Sequence, residues 1–152
     1  MHETVFSRRT ARRHRAIVLV SAAGRRILPA LRFVSRLPQT EVRALHVSVD
    51  SEETRRLAQD WMKLDLAWLP LHVHDPAADD LPTSVRRAIE SEADELGDVV
   101  IVVPELDFTH WWHPLLHRRS ARRIAQQLQP LKGVTTVIVP FTAPLDGGTR
   151  AP

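Results

Sequence analysis

The chain has 152 residues, of which 43% are hydrophobic, which suits one globular domain and is too apolar for a disordered polypeptide. It contains no cysteine, which excludes disulfide bonds, thiolate metal sites and a cysteine nucleophile. The formal net charge is +3, and the basic residues are concentrated near the N-terminus, at Arg8, Arg9, Arg12, Arg13 and Arg15. No apolar run approaches the length of about 20 residues that a membrane helix needs, and no apolar segment of the secretory type follows the N-terminal arginines.

The first part of the chain predicts a basic tail followed by a strand and a helix. Residues 1–14 are polar and basic without a hydrophobic period, so they are expected to form a flexible segment. Ala16–Val20 is a continuous apolar run, typical of a strand that is covered on both faces. A turn of small residues comes next, and the apolar stripe of residues 25–37 predicts a helix that Pro38 ends.

The next segment predicts two strands around one helix. Val42–Val49 is the second predicted strand, and Asp50 has the position and chemistry of a helix N-cap. The helix is expected to extend to Leu64. The third strand, Trp68–His74, contains Pro70, which lacks a backbone N–H and therefore places this strand near an edge of the sheet.

Residues 75–82 form a predicted acidic loop, after which Thr83 or Ser84 is expected to cap a third helix that Gly97 ends. Val99–Val103 has the pattern of a central strand, apolar at every position. An aromatic loop follows this strand.

The last predicted elements are a helix over residues 113–128 and a strand over Val134–Val139, separated by Gly133. Residues 142–152 are rich in glycine and proline and predict a flexible tail. Strands that alternate with helices require crossover connections. The sequence therefore predicts one α/β domain over residues 15–141, with a five-stranded parallel sheet and helices on both faces.

In an open α/β sheet, ligands bind beyond the carboxyl ends of the strands, where the strand order reverses. We expect the reversal between the first and fourth strands. The segment that leaves the first strand suits an anion, because small side chains let a phosphate approach backbone N–H groups and two arginines add charge. Its residues are Ser21, Ala22, Ala23, Gly24, Arg25 and Arg26. A tight turn with two solvated arginines is the alternative.

The segment that leaves the fourth strand contributes Pro104 and Glu105 and then the sequence HWWHPLLH, residues 110–117. His110 and Trp111 are candidates for contacts with a planar base, by hydrogen bonding and by stacking. His110, His113 and His117 have spacings that would also suit a metal site, although Pro114 disfavours one helical face for all three. A purely structural aromatic plug is the third interpretation.

Two further groups have less specific patterns. His72 and His74 lie on one face of a predicted strand end, as a metal pair or as partly exposed rim residues. A basic cluster on the last predicted helix is either a solvated face or a surface for an anionic ligand, an acidic partner or lipid headgroups; it consists of Arg118, Arg119, Arg122 and Arg123. No catalytic motif accompanies these groups, so the sequence favours a binding module over an enzyme, and the arginine excess alone does not indicate nucleic acid.

The order of strands and helices resembles the universal stress protein family, whose members bind adenine nucleotides and dimerise. This resemblance implies a universal-stress-protein-like, Rossmann-like fold. ATP-binding members carry a glycine-rich loop after the fourth strand, whereas residues 104–112 of this chain contain no glycine. Because these glycines are missing, we expect ATP to be a less suitable ligand than other adenine nucleotides.

A closer resemblance covers residues 14–141. The strand HRAIVLV over residues 14–20, and VVPE over residues 102–105 followed by HWWHPLLH, are similar to the cytosolic C-terminal domain of amino-acid/polyamine/organocation permeases of the potassium-uptake type. The resemblance implies a homodimeric regulatory domain attached to a membrane-embedded transporter and located at the cytoplasmic face of the membrane. It further implies sensing of cyclic di-AMP.

The resulting hypothesis is a permease domain that senses an adenine nucleotide, cyclic di-AMP before ATP, at a dimer interface. No other cofactor, no metal and no nucleic-acid partner is expected. The alternatives are an assembly domain that binds no small molecule and a stand-alone universal-stress-type ATP-binding protein.

Overall fold

The computed structural model describes residues 14–20, 27–38, 40–76, 81–93, 98–105 and 120–140. Strands and helices alternate within them. In chain order they are β1 (His14–Leu19), α1 (Leu28–Ser35), β2 (Thr40–Val47), α2 (Ser51–Lys63), β3 (Leu71–His74), α3 (Leu81–Ala93), β4 (Val99–Pro104), α4 (Ser120–Leu128) and β5 (Val134–Val139). The predicted flexible segments at the two ends lie outside these residues, except His14, which begins β1.

The five strands form one sheet in the order β3-β2-β1-β4-β5, and every neighbouring pair is parallel. This confirms the predicted α/β architecture and the predicted reversal of strand order between β1 and β4. β3 lies at an edge, as Pro70 indicated, and β4 lies in the interior between β1 and β5.

Helices cover both faces of the sheet. On β1, Ile17 and Leu19 belong to a core that contains the apolar residues of α3 and α4, whereas Ala16, Val18 and Val20 pack with α1 and α2. Successive side chains of a strand point to opposite faces, so the central strand needs an apolar residue at every position. Each large side chain buried in this way stabilises the fold by roughly 1.5–3 kcal/mol.

The N-terminus of α2 confirms the predicted cap. The Asp50 carboxylate accepts hydrogen bonds from the backbone N–H groups of Glu52, at 2.7 Å, and Glu53, at 3.2 Å. These bonds satisfy two of the donors that the first helical turn leaves unpaired, which contributes about 1 kcal/mol.

The start of α3 differs from the prediction. The helix begins at Leu81, so Pro82 lies in its first turn and neither Thr83 nor Ser84 is an N-cap. Proline is tolerated there because the first helical N–H groups have no partner within the helix. The Ser84 hydroxyl donates instead to the carbonyl of Pro76, at 2.8 Å, which ties the helix to the chain that leaves β3. The predicted end at Gly97 and the predicted start of the last helix at His113 lie outside the described residues.

A buried ion-pair network joins β1 and β2 to α3 near the strand starts. Arg15 is only 4% exposed, and its Nη1 donates to Glu92 Oε2 at 2.7 Å. Arg43 donates to the same carboxylate oxygen at 3.2 Å and also to Glu41. The hydrogen bond from Arg43 is the main reason that the pKa of Glu41 is lowered, with the charge of Arg15 adding to it. Glu92 therefore neutralises a cation that the sheet has almost fully removed from water.

We expect Glu92→Ala to lower the free energy of unfolding by about 3 kcal/mol or more, because it leaves the Arg15 guanidinium buried without its closest counter-ion. Glu90→Ala is the matched control on the same helix: its pair with Arg86 is partly exposed and contributes less than about 0.5 kcal/mol. Urea denaturation at one protein concentration measures both. Equal losses in the two variants would show that the Arg15–Glu92 pair does not hold α3 on the sheet.

Candidate functional site

The carboxyl ends of β1 and β4 lie side by side. Their register pairs Val18 with Val102, and the same register continued by two residues sets Val20 beside Pro104. Neighbouring strands are about 4.8 Å apart. In the sequence, residues 21–26 come directly after Val20 and residues 106–119 directly after Glu105, and these two described residues lie at adjoining points of the sheet.

The predicted site residues divide into two groups. Ser21, Ala22, Ala23, Gly24, Arg25, Arg26, His110 and Trp111 lie outside the described residues and remain predictions. Pro104 is the buried last residue of β4, and Glu105 is exposed directly after it. Of the predicted set, the structure thus places these two at the carboxyl edge.

Glu105 lies where β4 meets β5. Its backbone N–H donates to the carbonyl of Val139, at 3.0 Å, which extends the β4–β5 ladder by one residue. Its carboxylate is exposed at the rim. An ionised carboxylate only accepts hydrogen bonds, so it suits an amino or hydroxyl group of a ligand and disfavours a phosphate at the same point.

A buried histidine that is not among the predicted site residues supports the end of β1. His46 of β2 is 1% exposed, and its Nδ1 lies 2.8 Å from the carbonyl oxygen of Val20. A carbonyl oxygen only accepts, so Nδ1 carries the hydrogen and donates it. This bond fixes the last described peptide before the predicted anion-binding segment.

The other side of the His46 ring connects to the start of α2. Its Nε2 lies 3.0 Å from the hydroxyl oxygen of Thr54, which is also 2.7 Å from the Ser48 hydroxyl and 2.8 Å from the Asp50 carbonyl. Three chain segments at the carboxyl edge are therefore joined through one imidazole: the end of β1, the end of β2 and the first turn of α2. A histidine between the apolar residues Leu45 and Val47 was the available sequence signal.

Burial lowers the pKa of His46, and the hydrogen bond to Val20 and the charge of Glu53 offset this only in part. The neutral ring leaves Nε2 as an acceptor, to which the Thr54 hydroxyl donates. Protonation would make both ring nitrogens donors, and the Thr54 hydroxyl would then donate to the Asp50 carbonyl instead. The proton on His46 therefore determines the direction of the hydrogen bonds beneath the candidate site.

The two histidines of β3 have different partners. His72 Nδ1 lies 3.5 Å from Glu92 Oε1, in the ion-pair network, whereas His74 lines a cavity of about 150 Å³ together with Ser84 and Arg87. Within the described ranges, no three histidine, aspartate or glutamate side chains are arranged to hold a metal ion. His110, His113 and His117, the other predicted metal set, lie outside those ranges. Of the predicted basic cluster, Arg122 and Arg123 are exposed on α4, and Arg118 and Arg119 are not described.

Comparison with known proteins identifies one family. The family model described as the KimA potassium transporter C-terminal domain matches residues 12–141. No curated protein matches the chain. In the part of the chain that the structure describes, no helix combines the length and the apolar character that crossing a membrane requires.

We expect the stability of the domain to fall as the pH decreases from about 7 to about 5, because the unfolded chain protonates His46 at about pH 6.5 and the folded chain only below that. In this window the unfolded state binds more protons, which lowers the free energy of unfolding by up to about 1.4 kcal/mol per pH unit. His46→Asn keeps a donor for the Val20 carbonyl and does not titrate, so its pH dependence should be shallower. Ser48→Ala is the control that keeps the imidazole and the wild-type slope. Identical slopes for His46→Asn and wild type, from urea denaturation across this range, would contradict the assignment.

Proposed function

The chain belongs to the KimA potassium transporter C-terminal domain family, and on this premise we propose that it is a regulatory domain that senses cyclic di-AMP. As a transporter C-terminal domain it has a membrane transporter as its partner. The proposal further places the domain on the cytoplasmic side of a potassium-uptake permease of the amino-acid/polyamine/organocation superfamily. It assigns the domain a binding role and no catalytic one.

The observation that carries the ligand proposal is the pairing of β1 with β4. Because the two strands are neighbours, Val20 and Glu105, which precede residues 21–26 and residues 106–119, lie close together at the carboxyl edge. The first segment offers small residues and two arginines to a phosphodiester, and the second offers Trp111 to an adenine face and His110 to its polar edge. Glu105 adds an exposed acceptor for an adenine amino group or a ribose hydroxyl.

A dimer is part of the proposal because cyclic di-AMP has two equivalent halves. A two-fold symmetric ligand suits a two-fold symmetric pair of sites, each half contacting one protomer. One ligand would then bind per two chains.

The edge strand β5 is the surface that we propose for this dimer. Its six residues, VTTVIV, are apolar or threonine, and most are half-buried, whereas the opposite edge strand β3 has four residues, two of them histidine. An edge strand with a long uncharged face favours pairing with another strand. Glu105 is hydrogen-bonded to Val139 of β5, so the rim of the candidate site adjoins this edge strand.

Regulation requires that the ligand bind one dimer arrangement more tightly than another. Only this difference in affinity shifts the equilibrium of the attached transporter between its states. The hydrogen bonds that join the end of β1 through His46 to α2 are the connection that we propose for coupling the site to this helix.

One specific observation favours a second function, that of an assembly domain which binds no nucleotide. Residues 104–112 contain no glycine, which removes the close backbone approach that a glycine-rich phosphate loop gives. The same observation disfavours a stand-alone ATP-binding stress protein.

We expect cyclic di-AMP to bind with saturation at one ligand per two chains, and ATP and AMP to bind much more weakly, in calorimetric titrations. Arg25→Ala combined with Arg26→Ala should weaken dinucleotide binding by about tenfold or more, because charge-assisted bonds to phosphate are lost. Arg55→Ala combined with Arg56→Ala is the control, because it removes the same charge from two adjacent exposed residues of α2.

Two outcomes would count against the sensor. Unchanged affinity in the Arg25 and Arg26 variant would remove the assigned phosphate site. No heat with any of the three nucleotides, in a folded dimer, would select the assembly domain instead.

We expect Val137→Glu to convert the dimer to a monomer, because it places a charge in the middle of the proposed β5 interface. Val73→Glu, at the exposed position of the opposite edge strand, is the matched control and should leave the dimer intact. Sedimentation equilibrium measures both masses. A dimer in the Val137 variant, or a monomer in the Val73 variant alone, would contradict the assignment of the dimer interface to β5.

A further inference from the structure

The last turn of α2 and its connection to β3 carry three large apolar side chains in solvent. Trp68 is 63% exposed, Met62 is 69% exposed and Leu64 is 48% exposed. Tryptophan is seldom left so open on a soluble surface without a partner, because its ring contributes a large apolar area. The exposed group therefore needs an explanation outside the domain core.

The connection is held in a fixed conformation, so the exposure of Trp68 does not come from a loose loop. Leu66 and Leu69 are buried on either side of it, and the indole Nε1–H of Trp61 donates to the carbonyl of Leu69, at 3.0 Å. A turn with Asp65 at φ 56° precedes them. Backbone bonds from Leu66 to Trp61 and from Leu69 to Leu66 complete the connection.

The exposed group lies at the edge of the sheet where every strand begins. Parallel strands start at one common edge, and β1 starts there at His14, so the chain that precedes the domain enters at the same edge. Helices α1, α2 and α4 return to it, and the residues at or just beyond their ends include exposed Arg36, Lys63 and Lys132. Trp68, Leu64, Arg36, Lys63 and Lys132 together are called the entry face.

Charge at this edge of the sheet is mixed, since Glu41 near the start of β2 and Asp98 directly before β4 lie there as well. Lys63 lies 3.8 Å from Asp60, and Asp65 is exposed beside Leu64. The positive charges at this edge are the basic residues named above. The sequence also has Arg12 and Arg13 directly before β1.

We infer that the entry face lies against the membrane surface, with Trp68 in the headgroup region and the basic residues near anionic lipid phosphates. Tryptophan concentrates at the boundary between headgroups and acyl chains, and each Lys or Arg near an anionic leaflet contributes about 1 kcal/mol. The inference rests on the family, because a transporter C-terminal domain follows its membrane portion along the chain and here the incoming chain arrives at this edge. It does not depend on the nucleotide, whose proposed site is at the opposite edge.

The test uses the 152-residue chain and sedimenting vesicles of phosphatidylglycerol mixed with phosphatidylcholine. Wild type should bind these vesicles more tightly than vesicles of phosphatidylcholine alone. Trp68→Ala should weaken vesicle binding by roughly tenfold, because Trp68 is larger and more exposed than Leu64, the other apolar residue of the face. Val49→Ala, which truncates an exposed apolar residue at the far edge of the sheet, should bind as wild type does.

A second pair of variants tests the charge. Arg36→Gln combined with Lys132→Gln should weaken binding to the anionic vesicles several-fold, and Arg55→Gln combined with Arg56→Gln should not. Both the Trp68 and the Arg36/Lys132 variants should bind cyclic di-AMP as wild type does, which separates this inference from the proposed function.

A wild-type chain that binds neither kind of vesicle would overturn the inference and would indicate a protein surface as the occupant of the entry face. Equal vesicle binding by Trp68→Ala and wild type would also overturn it. Brominated acyl chains give an independent readout: they should quench the fluorescence of wild type more than that of Trp68→Phe.

Discussion

The parallel pairing of β1 with β4 is the constraint on which the remaining architecture depends. It reverses the strand order at the centre of the sheet, so the first two helices cover one face and the last two cover the other. Right-handed crossover connections place the helices on opposite faces once successive strands are added at the other side of β1. Because of the same pairing, the two segments of the candidate site follow adjoining strand ends, although the 79 residues 27–105 lie between them in the sequence.

Different polar interactions stabilise the two ends of the sheet. At the strand starts, Arg15 is buried with Glu92 as its close partner, and this pair joins the central strand to α3. At the strand ends, the neutral ring of His46 joins the last peptide of β1 to Thr54 in α2. The Arg15–Glu92 pair stabilises the packing of α3 on the sheet, close to the start of β1 at His14. The His46 ring lies directly beneath the proposed ligand segment, where a change in hydrogen bonding can reach a helix.

Much of the fold follows from local patterns, and the failures have tertiary causes. Continuous apolar runs predicted the interior strands, the run Val134–Val139 matched β5 at both ends, and Asp50 proved to be the N-cap of α2. The start of α3 was wrong, because Pro82 resembles a loop residue and Ser84 bonds to a carbonyl that precedes the helix. The role of His46 and the Arg15–Glu92 pair could not be predicted, since each partner lies on another element. Of the candidate site, the strand reversal and the rim residue Glu105 are in place, and the segments that would touch a ligand remain predictions.

The most direct test of the central claim is a map of backbone amide chemical shifts, recorded by nuclear magnetic resonance during titration with cyclic di-AMP. We expect the largest changes at Val20 and Glu105 and in the segments that follow them, with smaller changes near Thr54, which the His46 network connects to β1. Changes confined to the strand starts around Arg15, or to the cavity beside His74, would contradict a ligand site at the β1–β4 reversal.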